Sequence, residues 1–233
     1  MGQQEIGGEG MKAICLLSGG LDSTVTLACA LRQGYEVTAL TINYGQRHIR
    51  ELDAARAVAA HYKLPHVLMD FPLVGFRSAL TDESIPVPDR GIDEIGYDIP
   101  QTYVPARNIV FLSLAAGMAE SIDASAVFIG ANVIDYSGYP DCRPEFFQAF
   151  EAMLAVGTKR GVLGHPVRIE HPILTKSKAE IVKMGLKLEA PLHLTWSCYR
   201  GGERACGHCD SCVLRLKGFR EAGVEDPVPY EGR

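Results

Sequence analysis

The chain has 233 residues, 47% of them apolar and 22% charged, which fits a globular protein with one α/β core and room for a small appendage. A formal net charge of −5 argues against a broad basic footprint for nucleic acid, so no stable nucleic-acid partner is expected. No stretch approaches the roughly 18 apolar residues of a membrane span.

The opening residues, MGQQEIGGEG, are polar and glycine-rich, with neither the basic start nor the apolar run of a signal peptide. They read as a disordered leader over 1–10, with Met11 the better start of the fold and the cytoplasm the expected compartment. Lys12 to Leu17 is a short apolar run that ends in Ser18-Gly19-Gly20, a buried strand followed by a glycine turn. Helical spacing follows over Asp22 to Leu31, and Val37 to Ile42 is a second buried strand. Arg47 to Tyr62 has the periodicity of an amphipathic helix, with Ile49, Leu52, Ala55, Ala59 and Tyr62 on one face. His66 to Asp70 is a third strand. From about Phe71 to Thr102 periodicity is lost, and a loop of that length suggests a functional flap.

Pattern resumes with a helix over Asn108 to Ser121 and a strand over Ala126 to Ala131. A polar insertion, Asn132 to Arg143, precedes a helix from Pro144 to Val156. A strand at Val167 to Glu170 and a helix at Lys176 to Met184 complete the core. Strands alternating with helices predict a doubly wound, mainly parallel α/β sheet, with ligands beyond the carboxyl ends of the strands. The expected division is an α/β domain over 11–191 and a cysteine-bearing tail over 192–233.

Ser18-Gly19-Gly20-Leu21-Asp22-Ser23-Thr24 lies between the first strand and the first helix. Gly19 and Gly20 let backbone N–H groups approach an anion, and Ser18 and Ser23 add hydroxyls. The helix start aims free N–H groups and its positive dipole end at the same point. Asp22 would repel a bare phosphate but would hold Mg²⁺ bound to one. The stretch is neither a Walker A loop nor a dinucleotide fingerprint.

Seven cysteines are present, and Cys198, Cys206, Cys209 and Cys212 are clustered as C-x7-C-x2-C-x2-C. Four thiolates make a closed site that favours structural Zn²⁺, although thiolates also suit iron–sulfur clusters. Metal ligation would supply folding free energy to a glycine-rich tail.

The strand–SGGLDS–helix arrangement resembles the PP-loop of ATP pyrophosphatases, which cleave ATP between the α- and β-phosphates. With the cysteine cluster, the chain from Met11 onward resembles the 7-cyano-7-deazaguanine synthase family. The matching stretches are SGGLDST (18–24), NYGQRH (43–48), TYVPARN (102–108), DYSGYPDCRPEF (135–146), SKAEIVKMG (177–185) and the four cysteines. One departure is Ala106, where the family usually has Gly. The resemblance implies an adenine nucleotide alpha hydrolase-like PP-loop fold, ATP as cofactor and a homodimer. It also implies 7-carboxy-7-deazaguanine and ammonia as substrates, with adenylated carboxylate and amide intermediates on the way to a nitrile.

Residue roles follow as expectations. Asp22 and Ser23 contact pyrophosphate and Mg²⁺, Arg107 grips phosphate from a helix start, and Lys178 takes the position of a phosphate-reaching lysine in PP-loop enzymes, with Lys176 nearby. Tyr44 to His48 suits adenine or ribose contact, or ammonia handling. A guanine-like base needs a carboxylate and an aromatic face, which Asp135 or Asp141 and Tyr136 or Tyr139 offer, while Arg143 suits the substrate carboxylate. Cys142 reads as a packing residue. Two other readings stay open: a PP-loop enzyme acting on a different carboxylate or carbonyl of a nucleobase or protein, and a non-enzymatic zinc-ribbon nucleic-acid module using Arg200, Arg204, Arg215, Lys217 and Arg220.

Overall fold

The computed structural model describes residues 10–47, 49–89, 99–134 and 139–232. Strands β1 (Lys12–Leu16), β2 (Glu36–Asn43), β3 (His66–Asp70), β4 (Ala126–Phe128) and β5 (Arg168–Glu170) form a five-stranded sheet in the order β3-β2-β1-β4-β5. Every neighbouring pair is parallel, with Ile14 of β1 opposite Thr38 on one side and Val127 on the other. The helices are α1 (Leu21–Arg32), α2 (Arg50–His61), α3 (Arg107–Ser121), α4 (Pro144–Gly157), α5 (Lys159–Val162), α6 (Lys178–Lys187) and α7 (Asp210–Ala222).

Strand alternation explains why both faces are covered. Ala13, Cys15 and Leu17 pack with Leu27 of α1 and Val58 of α2. Ile14 and Leu16 pack with Leu112 of α3 and Phe147 of α4 on the opposite face. Burying one such leucine or phenylalanine contributes about 1.5–3 kcal/mol. The chain is therefore doubly wound, as its alternating pattern predicts. Sheet order reverses at β1, so a crevice opens between the carboxyl ends of β1 and β4.

Several boundaries differ from the sequence reading. β4 ends at Phe128, although Ile129 N–H still donates to the Glu170 carbonyl. Gly130 then turns against the first turn of α1, and an added Cβ there would lie 2.8 Å from Ser23 N. α2 begins at Arg50 rather than Arg47, because the Arg47 guanidinium is drawn into the flap, donating to the Ala79, Glu83 and Ile85 carbonyls. The tail holds a full helix, α7, that follows Cys209 and ends at Gly223 with φ +80°. Its Phe219 joins Ile181 and Val182 of α6 and Leu21 and Val25 of α1 in one apolar cluster. Among the described residues no helix is long and apolar enough to cross a membrane.

Candidate active site

The crevice is a cleft lined by Ser18, Gly20, Asp22 and Ser23 at the end of β1, Gly130 and Asn132 beyond β4, and Lys178 of α6. Gly19 has φ +84°, and a Cβ there would sit 2.3 Å from the Glu51 carbonyl. Only glycine meets both conditions, the left-handed backbone and the close approach of α2. Ser18 Oγ accepts from Gly20 N–H at 3.3 Å and lies 3.0 Å from Ser23 Oγ, which donates to the Gly20 carbonyl at 3.1 Å. The residue that precedes α1 is Gly20, which has no side chain to cap the helix, so the first-turn amides receive no capping oxygen from that position. Leu21 also lines the cleft, whereas Thr24 is fully buried in α1 and is not part of the lining.

Lys178 Nζ donates to both oxygens of Asp22 at 2.9 Å. The lysine is nearly buried, and room for its stem comes from α7: a Cβ at Gly218 would lie 2.3 Å from Lys178 Cγ. The structure thus unites two predicted residues from opposite ends of the chain. Arg107 also reaches the cleft from the start of α3, with its guanidinium carbon 5.8 Å from the centre of the Tyr44 ring. Burial pushes the Tyr44 hydroxyl up to about 12, against the opposing pull of Arg107.

The insertion before α4 is divided between the cleft and the protein interior. Tyr139 lines the cleft, its hydroxyl 2.8 Å from Thr102 Oγ1. Asp141 is not part of the lining, since its carboxylate accepts from Asn108 N–H at 3.0 Å at the start of α3. Burial raises its carboxyl, with Asn108 and Arg107 acting in the other direction. Arg143 is exposed and outside the lining. Asp135, Tyr136 and His48 lie outside the described residues. Cys142 packs against Asn108, and burial pushes its thiol up to about 12, as suits a packing residue. Ala106 adopts φ 56°, a left-handed conformation that costs a non-glycine residue about 1–2 kcal/mol. Glycine, which the family resemblance leads one to expect there, would avoid that cost.

The sequence alone did not assign three lining groups to the cleft; two of them, Glu51 and Ser211, it did not single out at all, and Arg215 it offered only to a nucleic-acid reading. Glu51 projects from the first turn of α2, and burial raises its carboxyl to about 7. Its place in an amphipathic helix disguised it as a solvent-facing charge. Ser211 and Arg215 come from α7. Arg215 also forms a buried pair with Asp226 at 2.7 Å, and donates to Thr195 Oγ1 at 2.7 Å.

Cys198, Cys206, Cys209 and Cys212 are all buried, with sulfurs within 4.8 Å of one another. A tetrahedral zinc with Zn–S near 2.3 Å needs sulfurs roughly 3.8 Å apart, and Cys206 and Cys212 stand at 3.9 Å. Backbone N–H groups of Arg200 and Cys206 point at Cys198 Sγ, and that of Cys209 at Cys206 Sγ. Hydrogen bonds from the Cys209 and Cys212 thiols, then from those amides, hold the Cys198 thiol far below its ordinary value. The donor set fits a closed thiolate metal site.

A glycine loop at the switch point of a parallel sheet, with a lysine–aspartate pair beside it and four clustered cysteines, gives the chain the layout of a doubly wound α/β protein whose cleft lies at the carboxyl ends of the strands. A family model described as queuosine biosynthesis protein QueC matches residues 12–223. The chain belongs to the QueC family. It is 57% identical over 224 residues to the 7-cyano-7-deazaguanine synthase of Acetivibrio thermocellus, covering 95% of this chain and 99% of that one. It is 58% identical to 7-cyano-7-deazaguanine synthase 2 of Desulfitobacterium hafniense, covering 94% and 93% of the two chains. The Thermoplasma acidophilum 7-cyano-7-deazaguanine synthase is 56% identical, covering 96% and 93%.

Proposed function

We propose that this chain converts 7-carboxy-7-deazaguanine and ammonia to 7-cyano-7-deazaguanine, with adenylation from ATP driving each of two stages. The observation that carries the reading is membership of the QueC family across residues 12–223, joined to a cleft whose chemistry matches. A carboxylate is a poor electrophile, and transfer of AMP makes a mixed anhydride with a good leaving group. Ammonia then displaces AMP to give an amide. Adenylation of the amide oxygen and loss of AMP leave the nitrile.

Ser18, Gly19, Gly20, Ser23 and the start of α1 would grasp the β- and γ-phosphates. Leu21 and Thr24 support that bend, Leu21 at the cleft wall and Thr24 within the helix. Asp22 would hold Mg²⁺, and Lys178 would move from the carboxylate to phosphate oxygen as charge develops. Arg107 supplies a second cation. Tyr139, Tyr44 and Phe111 of the lining offer aromatic walls for the base. The four cysteines would hold Zn²⁺, which would supply folding free energy to the tail rather than chemistry. The reading places the enzyme in the cytoplasm, and takes the homodimer implied by family resemblance as its assembly.

The test is product analysis after incubation with the carboxylate, ATP and ammonium. Nitrile, AMP and pyrophosphate are expected from the wild type. Asp22→Ala is expected to lose pyrophosphate release by about 10²-fold or more. AMP release that requires some other acceptor, with no nitrile, would favour a different carboxylate or carbonyl substrate.

A further inference from the structure

The described lining of the cleft carries two carboxylates, Asp22 and Glu51, and no histidine. Asp22 already gives both oxygens to Lys178. Glu51 differs: among the described residues its carboxylate takes part in no hydrogen bond or ion pair. Its backbone is fixed against the phosphate loop by the close approach of its carbonyl to Gly19, so the side chain is held beside the nucleotide site. The titratable groups facing it are Arg107 from α3, Tyr44 after β2 and Cys198 of the tail, with Arg47 and Lys178 elsewhere in the same lining.

The proposed reaction consumes ammonia, yet at neutral pH nearly all of it is ammonium, which has no lone pair to attack with. A partly buried, unengaged carboxylate is the group that attracts such a cation and can relieve it of a proton. We propose that Glu51 binds ammonium in the cleft and takes its proton, so that ammonia attacks the adenylated carboxylate. This rests on the function proposed above. One N–H bond of ammonium breaks, its electron pair stays on nitrogen and the proton goes to a Glu51 oxygen. The nitrogen lone pair forms the C–N bond, and the C–O bond to AMP breaks with its electrons leaving on AMP. A second proton passes from nitrogen to water, and Glu51 returns its own to solvent through the open cleft. Burial sets the carboxyl near 7, which suits a base working at neutral pH.

The experiment compares wild type, Glu51→Gln and Glu51→Asp with the carboxylate substrate and ATP, using either ammonium or hydroxylamine as nucleophile. Hydroxylamine is already neutral at pH 7 and needs no proton removed before attack. For Glu51→Gln, the first-turnover burst of pyrophosphate, which precedes ammonia attack, is expected to keep an amplitude of one per site, while steady-state release falls with amide formation. Ammonium-dependent amide and nitrile formation should drop by about 10²-fold or more. Hydroxamate formation should be nearly unchanged, and Glu51→Asp should recover part of the ammonium-dependent rate. Equal losses with both nucleophiles, an undiminished ammonium rate, or loss of the first-turnover pyrophosphate burst would each overturn the proposal. A wild-type enzyme that releases no AMP with this substrate overturns the parent reading, and this one with it.

Discussion

A carboxyl group placed for chemistry is not placed for stability, and Glu51 shows the conflict at the level of one residue. Burial raises its carboxyl from 4.5 to about 7. Below about pH 4.5 folded and unfolded chains are both protonated at this group, and it costs nothing. As pH rises toward 7 the unfolded chain releases the proton while the folded one retains it, so stability falls; above 7 the loss is constant. That gap corresponds to at most about 3 kcal/mol, and partial exposure reduces it to about 1–2 kcal/mol. Glu51→Gln is therefore expected to stabilise the protein by about that amount at pH 8 and to change little at pH 4. Urea unfolding at the two pH values measures it, and an equal effect at both would exclude the linkage. Ala106 is a second residue whose backbone, at φ 56°, stores strain beside the cleft, next to Arg107. Local cost of this kind is common where function sets the geometry.

Between elements, the decisive contact is α7 on α6. Gly218 lies mid-helix, where glycine costs about 1 kcal/mol relative to alanine, so another demand must hold it there. An added Cβ would be 2.3 Å from Lys178 Cγ and 3.1 Å from the Lys178 backbone carbon. Gly218→Ala is expected to push α7 off α6 and lower stability by about 1–3 kcal/mol, reversing the gain in helix propensity. Because Lys178 also holds Asp22, pyrophosphate release should fall by at least about tenfold although residue 218 is outside the cleft lining. Thermal unfolding together with a pyrophosphate assay checks both parts, and a more stable, fully active variant would refute the packing account. This contact also marks how far sequence could be read. The strands and α1 to α4 were legible because apolar runs and spaced apolar positions are local signals. The SGGLDS bend was legible because its glycines sit between a strand and a helix. α7 was not, because Cys209, Cys212 and Gly218 interrupt its apolar spacing and look like loop residues. Its stops are visible in retrospect, with Asp210 in the first turn and Gly223 beyond the last. Asp141 was one of two carboxylates, with Asp135, that the sequence offered for reading a base, and only tertiary structure shows it engaged by the Asn108 amide.

At the scale of the whole molecule, the single tryptophan of the chain links the cysteine cluster to the cleft. Trp196 N–H donates to the Gly19 carbonyl at 2.9 Å, and its Nε1–H donates to the Cys198 carbonyl at 3.1 Å. The Arg50 guanidinium lies 4.4 Å from its ring centre. On the other side of the centre, Arg200 pairs with Asp89 of the flap at 2.5 Å. Withdrawing a metal from the cysteines would leave buried thiols with no shared counter-charge and release the folding free energy that ligation supplies. The tail, held partly by that ligation, should loosen first, while the sheet and its two apolar faces remain. Stripping with a strong chelator is therefore expected to make four more thiols reactive and move Trp196 emission to the red, with far-UV circular dichroism changing little. Nucleotide affinity should fall in proportion, since Gly19 loses the N–H that braces its carbonyl. Restoring Zn²⁺ should reverse all three readouts. A metal-free protein with unreactive thiols, unmoved emission and full nucleotide affinity would mean that the cysteine cluster holds itself together and bears no load for the phosphate loop.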